Sequence, residues 1–579
     1  MEKDPSILSL ICLALTVYVY FRRSHFHDKI FAEVNKQKEQ AHLEDLKAGK
    51  LEKPAGHNLF MSMRGFKIAQ QKYLLYVGYP FVAAIFSVII GGNFFIVFAT
   101  FCVPMATWWS WQKKGGQIYQ EFKIANQPAK PERNELGSAN FSKVPKKYDI
   151  NPDDNYQVFL GFTACLGVND KKHVLTIAPS RSGKGTCLIV PNLIFPSNNS
   201  YVVLDIKGEN AAVTARRQKE LGKDVVIIDP WGIQEKIGAV HGIKPMSFNP
   251  LTLLDGMSDE QLFEECTSIA ELIAPMPKDT KDPFWINRAR VLIRGLLLAH
   301  LKIETPANWS LLAIYKALRL GNAELINYLN ACAEIELAAD DVNQFKGNDP
   351  DNKTFLSIVS TAQDTTEFIR NISKGGGDIF NPKQLNEKPT AVYICIPERA
   401  IEANYQWLRL VVGLCVRAIS ENVQNKQIKR TVFLLDEAHY LGNMPEIRKA
   451  LATSATYGIC IWQFYQDIGQ IQAAYGDYWH SIVNVGVQQF YKINDLNTQK
   501  YVSELLGNRT LELNNTSTNA SGEKSTSESI MAARLLNPEQ VGLVKDIITR
   551  MDGENYLLVA GPYYQAESIK GSYDPNPLV

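Results

Sequence analysis

Two short stretches far apart in the chain constrain its fold more than any other feature. They are His173-Val-Leu-Thr-Ile177 running into Ala178-Pro-Ser-Arg-Ser-Gly-Lys-Gly-Thr186, and Thr431-Val-Phe-Leu-Leu435 running into Asp436-Glu437. Each begins as a β-branched or apolar run and ends abruptly in polar residues, as a buried parallel strand does where its C-terminal end opens into a crevice. In the first stretch small residues fill the turn, and Cys187-Leu-Ile-Val190 then resumes an apolar run. Successive backbone N–H groups at such a helix start point at one spot, and the Lys184 ammonium adds a mobile charge, which is the arrangement that holds phosphate. Ser180, Arg181, Ser182, Gly183, Lys184, Gly185 and Thr186 are the candidate contacts.

The loop departs twice from the usual G-x-x-x-x-G-K-[ST] pattern: Ala178 stands at the first glycine and Gly185 where a hydroxyl normally meets Mg²⁺. Thr186 comes one place later, a rotation of roughly 100° on a helix. It is therefore a candidate metal ligand beside the reading in which it points away. Taken alone, the segment also fits an ordinary glycine-bearing strand-to-helix turn. The second stretch supplies what a phosphate site needs: Asp436 to hold a hydrated Mg²⁺, and Glu437 to polarise a water attacking the γ-phosphorus of ATP. A third acid, Asp205, ends the run Val202-Val-Leu-Asp205 and has two open readings, as an aid to the metal or water, or as a strand-end partner of Lys207.

Composition narrows the class. With 61 basic against 60 acidic side chains in 579 residues, the chain lacks the charge of a nucleic-acid coat protein. Its nine cysteines show neither C-x-x-C spacing nor a histidine cluster, which argues against a zinc site and for reduced thiols, most of them small core residues. Ser6 to Phe21 is uncharged and apolar, and Tyr73 to Trp111 is a longer apolar run interrupted by Gly91-Gly92-Asn93. These read as N-terminal transmembrane helices near 6–21, 73–90 and 94–111 in a membrane region spanning 1–116. Arg22-Arg23 follows the first run instead of preceding it, unlike a cleaved signal peptide, and the basic residues of 22–72 and Lys113-Lys114 place both stretches in the cytoplasm. The expectation is a multi-pass membrane protein with its bulk cytoplasmic.

Residues 117–148, rich in Lys, Pro, Asn and Glu, read as a linker. Strand-like runs then recur at His173 to Ile177, Tyr201 to Ile206, Val225 to Ile228, Ala391 to Ile396, Thr431 to Leu435 and Ile459 to Phe464. This is the rhythm of an α/β fold with a parallel sheet, assigned to 149–256 and 380–579. Helical spacing replaces it over 257–379, an inserted all-α domain. Arg288, Arg290 and Arg294 there read either as a solvated helix face or as a DNA-facing stripe. Asn508 to Ser529 is polar and reads as a mobile loop.

The stretches Ala178 to Gly185, Val202-Val-Leu-Asp-Ile-Lys-Gly-Glu209, Asp282-Pro-Phe-Trp285 and Leu435-Asp-Glu437 occur in this order in one family. So do Ser357-Ile-Val-Ser-Thr-Ala-Gln363, Tyr457-Gly458, Gln466-Asp467, and Ser481 to Leu506 with Asn494-Asp-Leu-Asn497 and Tyr501-Val-Ser-Glu-Leu-Leu506. Over roughly residues 137–575 the chain resembles the type IV secretion coupling proteins, the inner-membrane ATPases of conjugation. The resemblance implies a RecA-like P-loop nucleotide-binding domain with an inserted all-α domain, binding ATP and Mg²⁺. It further implies a homo-hexamer at the lipid bilayer that passes relaxase-bound single-stranded DNA or effector proteins to other inner-membrane components of the secretion system, with adaptor proteins as further partners. By the same resemblance Gln466 senses the γ-phosphate, and Gly185 matches a branch carrying Gly-Lys-Gly. Where many relatives carry an arginine that is a candidate finger for a neighbouring subunit's nucleotide, this chain has Cys460, with Arg448 a nearby alternative. The chain resembles members without an acidic C-terminal tail, which puts substrate choice in the helical insertion or in adaptors. Two other functions compete: a slowly hydrolysing membrane docking platform, motivated by Ala178, Gly185 and Cys460, and a chromosome-segregation DNA pump, disfavoured by the lack of a C-terminal winged-helix-like module.

Overall fold

The computed structural model describes residues 136–578 apart from 151–153, 162, 168, 240, 278, 279, 281, 373–377, 421–429, 454–456, 519–523, 563 and 565–570. The expected spans at 6–21, 73–90 and 94–111 lie outside these residues. Among the described residues no helix is long and apolar enough to cross a membrane.

In chain order, a short hairpin of β1 (Val158–Gly161) and β2 (Ala164–Leu166) precedes β3 (Val174–Ile177). The phosphate-loop candidate follows and leaves as a π-helical turn at Gly185–Ile189 that continues into α1 (Val190–Ile194). Next come β4 (Ser200–Ile206), α2 (Glu209–Glu220) and β5 (Asp224–Ile228). A helical stretch intervenes: α3 (Asp259–Ile273), α4 (Phe284–Ile303), α5 (Leu311–Ala317), α6 (Asn322–Cys332), α7 (Glu336–Val342), α8 (Lys353–Thr366) and α9 (Phe368–Ile372). The sheet resumes with β6 (Thr390–Ile396), α10 (Ile401–Ser420), β7 (Thr431–Leu435), α11 (Pro445–Thr453), β8 (Ile459–Tyr465), α12 (Ile468–Tyr475), β9 (Val487–Phe490) and α13 (Leu496–Leu506). The chain closes with β10 (Asn508–Thr518), β11 (Lys524–Arg534), α14 (Pro538–Leu543), β12 (Ile547–Met551) and β13 (Glu554–Leu558).

These strands build a nine-stranded mixed sheet in the order β13-β12-β9-β3-β8-β7-β4-β6-β5. From β9 to β5 all neighbours are parallel, and β12 and β13 extend the edge antiparallel. Each run read as a strand from sequence lies in one of the strands β3 to β8, because an apolar β-branched run buried on both faces is what a central parallel strand requires. One face packs Leu175, Leu204, Leu435 and Ile394 against the helices; the other packs Val174, Val203, Leu434 and Trp462. The helical stretch shares the first core, and α3 presses close to α10: a Cβ at Gly413 would lie 2.8 Å from Met444 Cε and 3.1 Å from Leu272.

Three expectations need correction. The described part of Asn508 to Ser529 is not a loop: β10 and β11 pair antiparallel from Asn508 opposite Arg534 to Thr518 opposite Lys524. Its Thr, Asn and Ser content disguised the strands, although threonine, being β-branched, also favours the extended backbone. The end of the expected linker is anchored: Ala139 N–H bonds Asn508 C=O at 2.9 Å, Ser142 N–H bonds Asn555 C=O at 2.8 Å, and Tyr148 is fully buried with its hydroxyl on Asp552. The arginines of α4 are each partly buried and engaged within the protein. Arg294 clamps Asp341 through two hydrogen bonds of 2.5 and 2.6 Å, Arg290 Nε bonds Ala274 C=O at 2.8 Å, and Arg288 bonds Gln344.

Candidate functional site

Register fixes the site. Val174, Trp462, Leu434 and Val203 lie abreast across β3, β8, β7 and β4, so Ala178, Gln466, Asp436 and Asp205 leave the sheet along one edge. In an open parallel sheet this C-terminal edge is where ligands bind.

The loop after β3 is wound tightly. Arg181 adopts φ 60° and Gly183 φ 96°, left-handed values that suit glycine at the second position, and Ser182 N–H bonds Pro179 C=O at 3.2 Å. Among the described residues the N–H groups of Gly183, Lys184, Gly185 and Thr186 reach no acceptor, and the first bond into the helix runs from Cys187 N–H to Gly183 C=O at 2.9 Å. Ser182 is buried with its hydroxyl unpartnered. Four successive free N–H groups, an orphaned hydroxyl and a lysine form a donor set fitted to a phosphate anion. Ser180 and Arg181 are exposed at the loop's tip.

Lys184 joins the two stretches. Its ammonium bonds Glu437 Oε1 and lies 3.1 Å from Asp436 Oδ1. The other Glu437 oxygen accepts from Gln466 Nε2 at 3.0 Å and faces His439 Nδ1 at 3.4 Å. Glu437 itself turns back at φ 51°, and its N–H bonds Asp436 Oδ1 at 3.1 Å. Burial works against the Lys184 charge, yet Asp436 and Glu437 outweigh it and hold its pKa above that of a free lysine. Burial also opposes ionisation of Glu437, but His439, Lys184 and Gln466 prevail and lower its pKa to about 2. For Asp436 burial dominates, Lys184 only partly counters it, and the adjacent Glu437 adds to it, so its pKa rises. Glu437 is therefore the fixed anion of the pair. An adjacent pair of carboxylates beside a phosphate cradle also fits a hydrated Mg²⁺, a hard cation that takes oxygen ligands.

Other candidates sit elsewhere. Thr186 Oγ1 donates to Gly183 C=O at 3.1 Å, so its hydroxyl is engaged within the loop. Asp205 is wholly buried and turns to the start of α2, accepting from Asn210 N–H at 3.1 Å, Asn210 Nδ2 at 3.2 Å and Ala211 N–H at 2.8 Å. Burial raises its pKa to about 7 against the pull of those donors. Its proposed partner Lys207 instead lies 3.4 Å from Glu398. Cys460 is buried opposite Val432, at the far end of β8 from Gln466, so a side chain at that position is enclosed in the core. Arg448 stacks over the Tyr478 ring at 4.3 Å.

Two contributors escaped the sequence reading. His439 lies two residues beyond Glu437, where a motif ending in Asp-Glu stops looking. Lys492 follows β9, whose Val-Gln-Gln-Phe composition hid the strand; its ammonium reaches Ser182 C=O at 2.8 Å.

A family model described as type IV secretory system conjugative DNA transfer matches residues 122–554. Among similar proteins, the Protein VirD4 of Rhizobium radiobacter is 27% identical over 401 residues, covering 67% of this chain and 56% of its own. The conjugal transfer protein TraG of Escherichia coli is 28% identical over 373 residues, 59% of this chain and 56% of its own. The chain thus spans little more than half the length of these relatives. The unbound bacterial conjugative coupling protein TrwBdeltaN70 superposes with a TM-score of 0.57 at 15% identity, covering 75% of this chain and 96% of that one. The plasmid coupling protein TrwB in complex with a non-hydrolysable ATP analogue superposes with a TM-score of 0.55, also at 15% identity, over 74% and 96%.

Proposed function

Because the chain belongs to the type IV secretory conjugative DNA transfer family, we propose that it is a membrane-anchored ATPase that couples relaxase-bound single-stranded DNA or effector proteins to a type IV secretion channel. The single observation that carries this reading is the meeting of Lys184, Asp436 and Glu437 beside four unpaired N–H groups. On this reading the sheet is a RecA-like P-loop domain, α3 to α9 form its inserted helical domain, residues 1–116 anchor it in the inner membrane, and copies assemble as hexamers. That VirD4 and TraG proteins are similar, and that TrwB has been seen with nucleotides, supports it.

The residues divide the work. The N–H groups of Gly183 to Thr186 and the Ser182 hydroxyl bind phosphate oxygens, and Lys184 leaves Glu437 for them. Glu437, once released, accepts a proton from the attacking water, and Gln466, which already holds its second oxygen, orients that water. Asp436 would hold Mg²⁺, which would supply neutralisation of charge developing on the phosphates. The full chain, purified in detergent, should hydrolyse ATP, and Lys184→Ala and Glu437→Gln should not. Equal turnover in all three would sink the assignment.

The engaged Thr186 hydroxyl favours a second reading, a slow hydrolase acting mainly as a docking platform. Normal substrate transfer by Glu437→Gln in cells would select it.

A further inference from the structure

We infer that Lys492 is a positioning residue of the nucleotide site, holding the phosphate loop in its anion-ready shape from the neighbouring strand. The inference rests on the reading of residues 178–186 as the nucleotide loop and extends it to a part of the fold that carries no recognised nucleotide motif.

β9 lies directly beside β3, with Ile177 opposite Phe490, and Tyr491 N–H bonds Ile177 C=O at 3.0 Å. The chain leaving β9 therefore runs alongside the chain entering the loop. Tyr491 is buried beneath that loop, its hydroxyl 3.8 Å from where a Cβ at Gly183 would stand. At Lys492 the backbone turns left-handed, φ 51°, a conformation uncommon for a residue with a side chain. The turn sends the ammonium across to Ser182 C=O at 2.8 Å, with its charge 4.8 Å from the centre of the Tyr491 ring.

That carbonyl matters because of peptide geometry. In a planar trans peptide the C=O and the following N–H point in opposite directions. Holding the Ser182 carbonyl toward Lys492 turns the Gly183 N–H the other way, into the run of unpaired donors at Gly183 to Thr186. Gly183 is the residue whose glycine backbone is free to rotate out of this orientation, so an external clamp on its peptide has most effect here. Lys492 thus prepares donors for phosphate without needing to touch the nucleotide.

The test uses the full chain in detergent with a fluorescent ATP analogue and steady-state ATP turnover. Lys492→Asn keeps a residue that tolerates the left-handed backbone but cannot carry the charge to Ser182; Lys492→Gly removes the backbone constraint as well; Lys492→Arg retains a cation. We expect Lys492→Asn and Lys492→Gly to weaken nucleotide binding about 10-fold, the scale of one charge-assisted hydrogen bond, and to raise KM while kcat stays within about twofold. Melting temperature should be unchanged or higher in Lys492→Gly, and Lys492→Arg should recover most of the affinity. Affinities of both small variants within about twofold of wild type would overturn the inference, as would a fall in kcat at constant KM or a loss of affinity that tracks a lowered melting temperature in both. Failure of the underlying reading looks different: wild type and Lys184→Ala would then bind the analogue equally.

Discussion

Replacing Glu437 by glutamine should strengthen ATP binding while abolishing hydrolysis, because the carboxylate competes with phosphate for Lys184. With the site as it stands, the ammonium is bonded to Glu437 and lies 3.1 Å from Asp436, so a nucleotide must draw it away. The pKa of Glu437 falls from an ordinary 4.5 to about 2, equivalent to about 3 kcal/mol favouring its ionised form. His439 and Gln466 share that stabilisation with Lys184, and solvent screens a pair that is only partly buried, which leaves about 1–2 kcal/mol for the lysine. Removing the charge should therefore tighten ATP binding about 5–30-fold. Loss of the proton acceptor should slow the chemical step about 10²–10⁴-fold. Titration with a fluorescent ATP analogue measures the first effect and single-turnover hydrolysis the second. Affinity equal to or weaker than wild type would refute the competition, and wild-type turnover would refute Glu437 as the base. The pH sign follows from the lowered pKa: the stability that ionised Glu437 contributes is present above about pH 4.5 and is lost as pH falls through about 2.

Asp205→Ala should cost about 1–3 kcal/mol in urea denaturation, since it strips the acceptor from buried N–H groups of Asn210 and Ala211; nucleotide affinity should stay within about twofold, and a larger loss would return Asp205 to the site. Lys223 is buried with its ammonium on Asn199 C=O and over the Tyr201 ring, and burial lowers its pKa to about 7. The unfolded chain then binds the extra proton between about pH 7 and 10.5, so wild-type stability rises with pH in that window, and Lys223→Met should be the more stable protein at and below pH 7, by about 2 kcal/mol, with the gain vanishing toward pH 10.5. Arg294→Ala should destabilise the helical region by about 3–5 kcal/mol by stranding Asp341, while Arg294→Met combined with Asp341→Leu should recover most of the loss in thermal denaturation.

What could be read in the sequence was what hydropathy and spacing report. β3 and β7 are apolar runs ending in candidate site residues, so both the strands and the site at their ends were visible. β9 was not, because Gln488 and Gln489 occupy its centre. Both are buried, and the structure satisfies Gln489 through Thr176 and Leu160 C=O, and Gln488 through Val483 C=O, partners that no local pattern encodes. Losing β9 meant losing Lys492. Asp205 illustrates the opposite error. Its position at a strand end beside the site was readable, but its direction depends on whether α2 starts close enough to capture it, and Glu209-Asn210-Ala211 does so. The α4 arginines likewise follow helical spacing, but Asp341, Ala274 C=O and Gln344 come from α3's end and from α7 and the turn after it, through tertiary contacts invisible to a helical wheel.

The departures from the phosphate-loop pattern now separate into steric and chemical ones. At Gly185 the backbone is ordinary, and a Cβ there would meet nothing within 4 Å, so the fold does not require glycine and a serine would fit. Thr186, by contrast, has its hydroxyl tied to Gly183 C=O, one turn back. The missing hydroxyl is therefore a difference in metal chemistry and not in shape. On the proposed reading Asp436 would be the protein's oxygen ligand for Mg²⁺, a sparse contribution that suits a cation which keeps much of its hydration shell. Asp436 must then ionise in a setting where burial and Glu437 both oppose its charge. A divalent cation held there would offset that opposition, and Lys184, once released from Glu437, would be free for the phosphates. Lys184 thus occupies both carboxylates that the proposed chemistry needs free: Asp436, which would hold the cation, and Glu437, which would take the proton.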